Sequence, residues 1–91
     1  MAGVEFRVRF SGRVQGVGFR FHTQKFAETE GVCGWIRNMD DGTVEAVFEG
    51  EEEAVKRVME LCRTGITGAR ISGTEVVKMK YTGKFTFFSI K

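Results

Sequence analysis

An alternating run, Val4, Phe6, Val8 and Phe10, leads directly into Gly12-Arg13-Val14-Gln15-Gly16-Val17-Gly18-Phe19-Arg20, and a segment of helical periodicity follows at once. No other stretch restricts the fold as much. Strand, glycine-rich turn and helix start, in that order, gather free backbone N–H groups and the positive end of a helix dipole at one point. Gly16 and Gly18 can take the left-handed backbone that lets successive N–H groups converge into an anion-binding nest. Arg20 then opens the helix with a planar fork of donors suited to a phosphate. On spacing alone, the same residues also describe an ordinary strand-to-helix turn with an exposed arginine. Two familiar phosphate loops do not fit. A Walker loop ends Gly-Lys-Ser/Thr, whereas this one ends Gly18-Phe19-Arg20. A dinucleotide fingerprint starting at Gly16 would want a small residue where Phe21 stands.

Ninety-one residues make one domain, 1–91, and are too few for two independent cores. An apolar fraction of 42% with nine Phe argues for a packed core and against disorder. No apolar run reaches membrane-span length, and residues 1–10 lack the apolar centre of a signal peptide, so a cytoplasmic chain with no membrane partner is expected. Cys33 and Cys62 lie far apart, and reduced thiols are expected in place of a bridge. His22 is the one histidine and has no ligand-forming neighbour, so no metal and no cofactor are expected. A net charge of +2 is too small for bulk nucleic-acid binding. Arg7, Arg9, Arg13, Arg20 and Arg37 nevertheless cluster in the first half, where they would either draw in a small anion or sit solvated on strand faces.

In chain order, the period-2 pattern predicts a strand over 4–13, with Glu5, Arg7, Arg9 and Ser11 on its polar face. A helix is predicted over 19–30, Phe19, His22, Thr23, Phe26 and Ala27 sharing its buried face and Gly31 capping its end. His22 is expected at the core edge, not in catalysis. Strands follow over 33–39 and 43–49, joined by the tight-hairpin signal Asp41-Gly42. Glu51, Glu52 and Glu53 open a second helix where its dipole favours acids, Val55, Val58, Met59, Leu61 and Cys62 form its buried stripe, and Gly65 stops it. Residues 66–73 read as loop or irregular strand, 74–81 as a strand, Thr82-Gly83-Lys84 as a turn and 85–90 as a final strand. The order is βαββαβ with an extra C-terminal strand. A ferredoxin-like α/β sandwich, two helices on one face of a mainly antiparallel sheet, fits it.

That architecture serves many functions. The aromatic octet of RNA-binding domains is missing from Thr43-Val44-Glu45-Ala46-Val47-Phe48, and Phe85, Phe87 and Phe88 are expected to close the core. A metal-chaperone version would need a Cys-x-x-Cys in the first loop. Asn38, standing alone, reads as a hairpin-flanking residue bonded to its own turn. Trp35 and Arg37 should occupy the sheet face opposite Ile36 and Asn38, Trp35 packing and Arg37 solvated.

The loop Gly12–Arg20, followed by Gly34-Trp35-Ile36-Arg37-Asn38 and Asp41-Gly42-Thr43-Val44, strongly resembles the acylphosphatase family. Element order extends the resemblance over nearly the whole chain, and Tyr81-Thr82-Gly83-Lys84-Phe85 is similar to the family's last hairpin. The resemblance implies hydrolysis of an acyl phosphate to a carboxylate and inorganic phosphate without a metal. It further implies that Arg20 and the backbone N–H groups of Gln15, Gly16, Val17, Gly18, Phe19 and Arg20 bind the phosphoryl group, and that Asn38 orients the attacking water. Phosphate or sulfate would compete, and a monomer without nucleic-acid partners is expected. A carbamoyltransferase maturation protein carries such a domain within a longer chain, whereas this one reads as free-standing.

Two readings stand beside hydrolysis: an anion-binding module without turnover, and a nucleic-acid-binding relative of the fold. The chemistry itself supports the enzyme. The leaving carboxylate has a conjugate acid of pKa about 4 and departs readily at neutral pH, so positioning and charge stabilisation suffice without a strong general acid.

Overall fold

The computed structural model describes residues 3–91, so Met1 and Ala2 of the expected domain lie outside the described residues. Strand β1 (Gly3–Arg13) runs into the glycine loop, and helix α1 (Phe19–Glu30) leaves it. Strands β2 (Cys33–Asn38) and β3 (Val44–Glu51) form a hairpin, helix α2 (Glu52–Thr64) follows, and β4 (Arg70–Met79) and β5 (Phe88–Ile90) complete the sheet. The strand order is β4-β1-β3-β2-β5, antiparallel throughout except that β5 lies parallel to β2. This is the ferredoxin-like α+β fold.

Period-2 alternation sends Val4, Phe6, Val8 and Phe10 of β1 to the helix side, where they meet Ile36 of β2 and Val44, Ala46 and Phe48 of β3. Helix α1 adds Phe19 and Ala27, and α2 adds Ala54, Val55, Val58 and Cys62. Burying each larger side chain stabilises the fold by about 1.5–3 kcal/mol. Thr23 and Cys62 meet inside the core at 3.2 Å, tying the helices together. Burial there pushes the Cys62 thiol up to about 12, against the smaller opposing pull of Thr23, so the thiol is inert. Cys33 and Cys62 are both unpaired. Gly31 takes the left-handed conformation, and its N–H closes on Ala27 and Glu28, as expected for a glycine cap.

The second half departs from the sequence expectations. Of the two alternatives expected for 66–73, residues 70–73 take the irregular strand and begin β4, because a register shift at Ser11/Gly12 lets β1 keep pairing as far as Arg70. Thr82-Gly83-Lys84 does not close a hairpin. Residues 80–87 instead cross from the β4 edge to the β5 edge, and only residues 88–90 are strand. The crossing lies over the sheet face away from the helices, where Gly83 and Phe85 donate backbone hydrogen bonds to Glu49 and Lys84 sits 3.9 Å from Glu5. That cover buries Glu5 and Glu49, two residues on the face expected to be polar. Phe88 closes the core and stacks on Phe48, whereas Phe87 is 70% exposed and contributes nothing to it. Leu61, expected in the stripe of α2, is exposed. No helix among the described residues is long and apolar enough to cross a membrane.

Candidate active site

The loop between β1 and α1 is pinned by the two apolar side chains that bound it. Val14 and Phe19 are both almost fully buried, and the Phe19 ring packs 5.1 Å from that of Phe10. Between them Gly16 (φ 76°) and Gly18 (φ 74°) adopt left-handed backbone, as the nest geometry requires. A Cβ at Gly16 would have open space around it, so conformation and not crowding dictates glycine there. Gly18 is the helix N-cap, and no side chain caps it. The first bond of the ladder runs from the His22 N–H to the Gly18 carbonyl at 3.0 Å, which leaves the N–H groups ahead of it outside the helix ladder.

The side chain of Gln15 fixes the loop against the β2–β3 hairpin. Its Nε2 donates to the carbonyls of Met39 (2.8 Å) and Thr43 (2.9 Å), one hydrogen for each acceptor. The hairpin is the tight one expected from Asp-Gly, residues 40–42 joining Met39 to Thr43 with the Gly42 N–H donating to the Met39 carbonyl at 3.2 Å. The Met39 N–H reaches the Thr43 carbonyl, and Asp41 closes the loop by accepting from the N–H (3.0 Å) and hydroxyl (2.6 Å) of Thr43. Those two bonds hold the Asp41 carboxyl below the usual carboxylate range. The turn is thus bonded by Asp41, and Asn38, at the last β2–β3 pair, takes no part in it. From the sequence, Gln15 is expected only as a backbone donor. Two hairpin carbonyls pointing at a loop amide become visible only once the chain is folded.

Arg20 and Asn38 line one cavity of about 200 Å³, together with Gly16, Gly18 and Phe19. The side chains of Val17 and Gln15 turn away from it, which leaves those two residues only their backbone to offer. Val17 turns toward Gly68 and packs on the core, and Gln15 reaches the hairpin. Buried Val14 and exposed Phe21 and Ile90 complete the lining. His22 is exposed as well, edge-on to Phe21 with ring centres 6.0 Å apart, which corrects its expected place at the core edge. The helix turns it one position too far toward solvent.

The arginine cluster does not converge on the cavity. Arg37 donates to Glu45 at 2.9 and 3.3 Å and lies over the Trp35 ring, and Arg7 approaches the same carboxylate at 4.0 Å. Arg37 is therefore engaged on the far face, not merely solvated. Among the described residues, Arg20 has no acidic partner. Larger hollows exist elsewhere, but the one of about 460 Å³ near Tyr81 has Glu30, Glu49 and Glu51 in its wall, with Arg57 already bound to Glu30 at 2.8 Å. Such a wall repels phosphate. No group of three or more His, Cys, Asp or Glu that would hold a metal gathers among the described residues.

Comparison with known proteins points to one family. The family model described as acylphosphatase matches residues 6–90. The chain is 48% identical to an acylphosphatase of Methanothrix thermoacetophila over 81 residues, covering 89% of this chain and 90% of that one. It is 46% identical to an acylphosphatase of Pelotomaculum thermopropionicum over 90 residues, covering 99% and 98%. The crystal structure of acylphosphatase from Bacillus subtilis superposes with a TM-score of 0.92 at 34% identity, covering 97% of this chain and 98% of that one.

Proposed function

We propose, from the premise that this chain belongs to the acylphosphatase family and is a hydrolase of acyl phosphates, that Arg20 and Asn38 perform the reaction in the cavity between α1 and β2. The observation that carries the assignment is their shared cavity at the mouth of a left-handed glycine loop. Arg20 and the N–H groups of residues 15–20 hold the phosphoryl oxygens and stabilise the charge that builds on them. The Asn38 side-chain carbonyl accepts a hydrogen bond from a water and aims it in line at phosphorus.

The water oxygen forms a bond to phosphorus while the bond from phosphorus to the acyl oxygen breaks. The bonding pair leaves with the carboxylate, and a water proton passes to a phosphate oxygen. With a leaving group whose conjugate acid has a pKa of about 4, no metal and no strong acid are needed. Gln15 acts by positioning, since its two hydrogen bonds set the distance between the loop with Arg20 and the hairpin with Asn38. Inorganic phosphate and sulfate occupy the same nest as competitors. We assign residues 1–91 to one catalytic domain working as a monomer in the cytoplasm, a compartment that suits two unpaired thiols.

Phosphate release from acetyl phosphate, measured after exhaustive chelation, tests the mechanism. Undiminished release with competitive inhibition by phosphate is expected. Loss of activity restored by Mg²⁺ or Zn²⁺ would overturn it.

A further inference from the structure

Phosphate contacts alone do not distinguish one acyl phosphate from another; the acyl group must be read elsewhere. In-line displacement fixes where. The attacking water and the leaving oxygen lie on opposite sides of phosphorus, so the acyl group projects away from Asn38. Asn38 and Ile90 enter the cavity from the neighbouring strands β2 and β5, while Arg20 and Phe21 enter from α1. The apolar side chain on the helix-borne wall beyond Arg20 is Phe21.

A single exposed apolar residue is ordinary on a protein surface. Phe21 differs in two respects: it stands at the lip of a cavity with an anion-binding floor, and its ring is held in place. The Lys25 ammonium lies 5.2 Å from the ring centre, and His22 meets it near edge-on at 72°. With 54% of its surface open to water, the ring has apolar area to bury against a ligand.

We propose that Phe21 is a specificity-determining residue that packs against the substrate's acyl group, so that the enzyme selects aromatic or bulky apolar acyl phosphates over acetyl phosphate. The proposal rests on the placement of phosphoryl group and water at Arg20 and Asn38. It predicts that selectivity resides in the helix wall and not in Ile90.

The test compares kcat/KM for benzoyl phosphate and acetyl phosphate in the unaltered enzyme, Phe21→Ala, Phe21→Leu and Ile90→Ala. Inhibition by benzylphosphonate and methylphosphonate is measured alongside. Phe21→Ala should lower the benzoyl-to-acetyl ratio about tenfold, the scale of a lost apolar contact, with acetyl phosphate turnover nearly unchanged. Phe21→Leu should fall between, and Ile90→Ala should leave the ratio intact. The preference for benzylphosphonate should fall in parallel. Unchanged ratios in Phe21→Ala would overturn the proposal, as would a collapse in Ile90→Ala alone. An equal loss for both substrates and both phosphonates would also overturn it, because Phe21 would then only support Arg20. If no acyl phosphate is hydrolysed yet benzylphosphonate selectivity depends on Phe21, the acyl subsite stands and the assignment of turnover falls.

Discussion

At both ends of β1, backbone N–H groups face a position for an anion, but at only one end does the chain supply that anion itself. Over the sheet face at the N-terminal half of β1, the crossing segment 80–87 directs the N–H groups of Gly83 (3.1 Å) and Phe85 (3.2 Å) at the buried carboxylate of Glu49. Beyond the C-terminal end of β1, the loop between Val14 and Phe19 offers its N–H groups and Arg20 to a cavity with no protein carboxylate in its lining. The internal anion contributes to holding the fold together. The glycine loop has no such carboxylate from its own chain, and in the proposed mechanism its polar groups bind the phosphoryl group instead, at the cost of two left-handed glycines and an uncapped helix start. Electrostatically the two ends are alike, and what separates stability from function is whether the chain supplies the anion.

Removing the cation from the glycine loop is the strongest way to break this contrast. Arg20→Ala should reduce kcat/KM by about 10³-fold or more, on the scale of arginine contributions to phosphoryl transfer, and should weaken phosphate inhibition with it. Arg20→Lys should recover little, because one ammonium does not reproduce the fork. Asn38→Ala should lower kcat by about 10²–10³ and leave the phosphate inhibition constant unchanged, since the proposed mechanism has Asn38 address the water and not the phosphoryl group. Steady-state kinetics of the folded variants decide both. Near-full kcat in Asn38→Ala would place the water elsewhere.

Gln15 sharpens the comparison, because it belongs to the open end but works like a structural residue. Gln15→Ala removes both hydrogen bonds to the hairpin and should lower kcat about tenfold while reducing unfolding free energy by about 1–2 kcal/mol. If denaturation shifts without any change in kcat, the loop keeps its register by other means.

The filled end should respond in stability alone. Glu49→Ala strands two backbone N–H groups under the crossing segment and should cost about 3 kcal/mol in urea unfolding, with kcat/KM little altered. A large fall in activity would show that the two ends are coupled through β1 and β3.

The smallest effect concerns Glu5, the direct cross-strand neighbour of Glu49. Burial raises its carboxyl above the ordinary range, and the hydrogen bond its protonated form donates to Glu49 and the like charge of Glu49 add to this against the pull of Lys84 and Arg7. One of its oxygens is buried without a hydrogen-bond partner. A group raised in the folded state stabilises while protonated. Its contribution is full below the ordinary value of 4.5 and is lost as pH rises through the folded value. Glu5→Gln should therefore gain in melting temperature relative to the unaltered protein as pH rises from 4.5 upward. Parallel melting curves across that range would contradict the assignment.

Local patterning carried much of this far. Period-2 alternation located β1, β2 and β3, and 3.6-residue periodicity with Gly31 located α1, because both signals depend only on neighbours in sequence. The glycine loop and Arg20 were legible for the same reason: left-handed backbone and a helix start are local demands. Asn38 became a candidate only beside that loop and through family resemblance. What remained hidden depended on which distant segment covers which. Residues 70–73 read only as loop or irregular strand because they join β4 across a register shift opposite Ser11/Gly12, and that shift depends on the partner strand. Nothing in Thr82-Gly83-Lys84 tells a hairpin from a crossing, yet the crossing is what buries Glu5 and Glu49. The amide of Gln15 has the same donors in any fold, and only packing of the hairpin against the loop gives them two carbonyls. The sequence by itself determined most of the elements and the left-handed glycine loop, since these follow from backbone conformation over a few residues. Tertiary structure decided which polar groups are engaged and which stay free, because that requires partners more than 20 residues away.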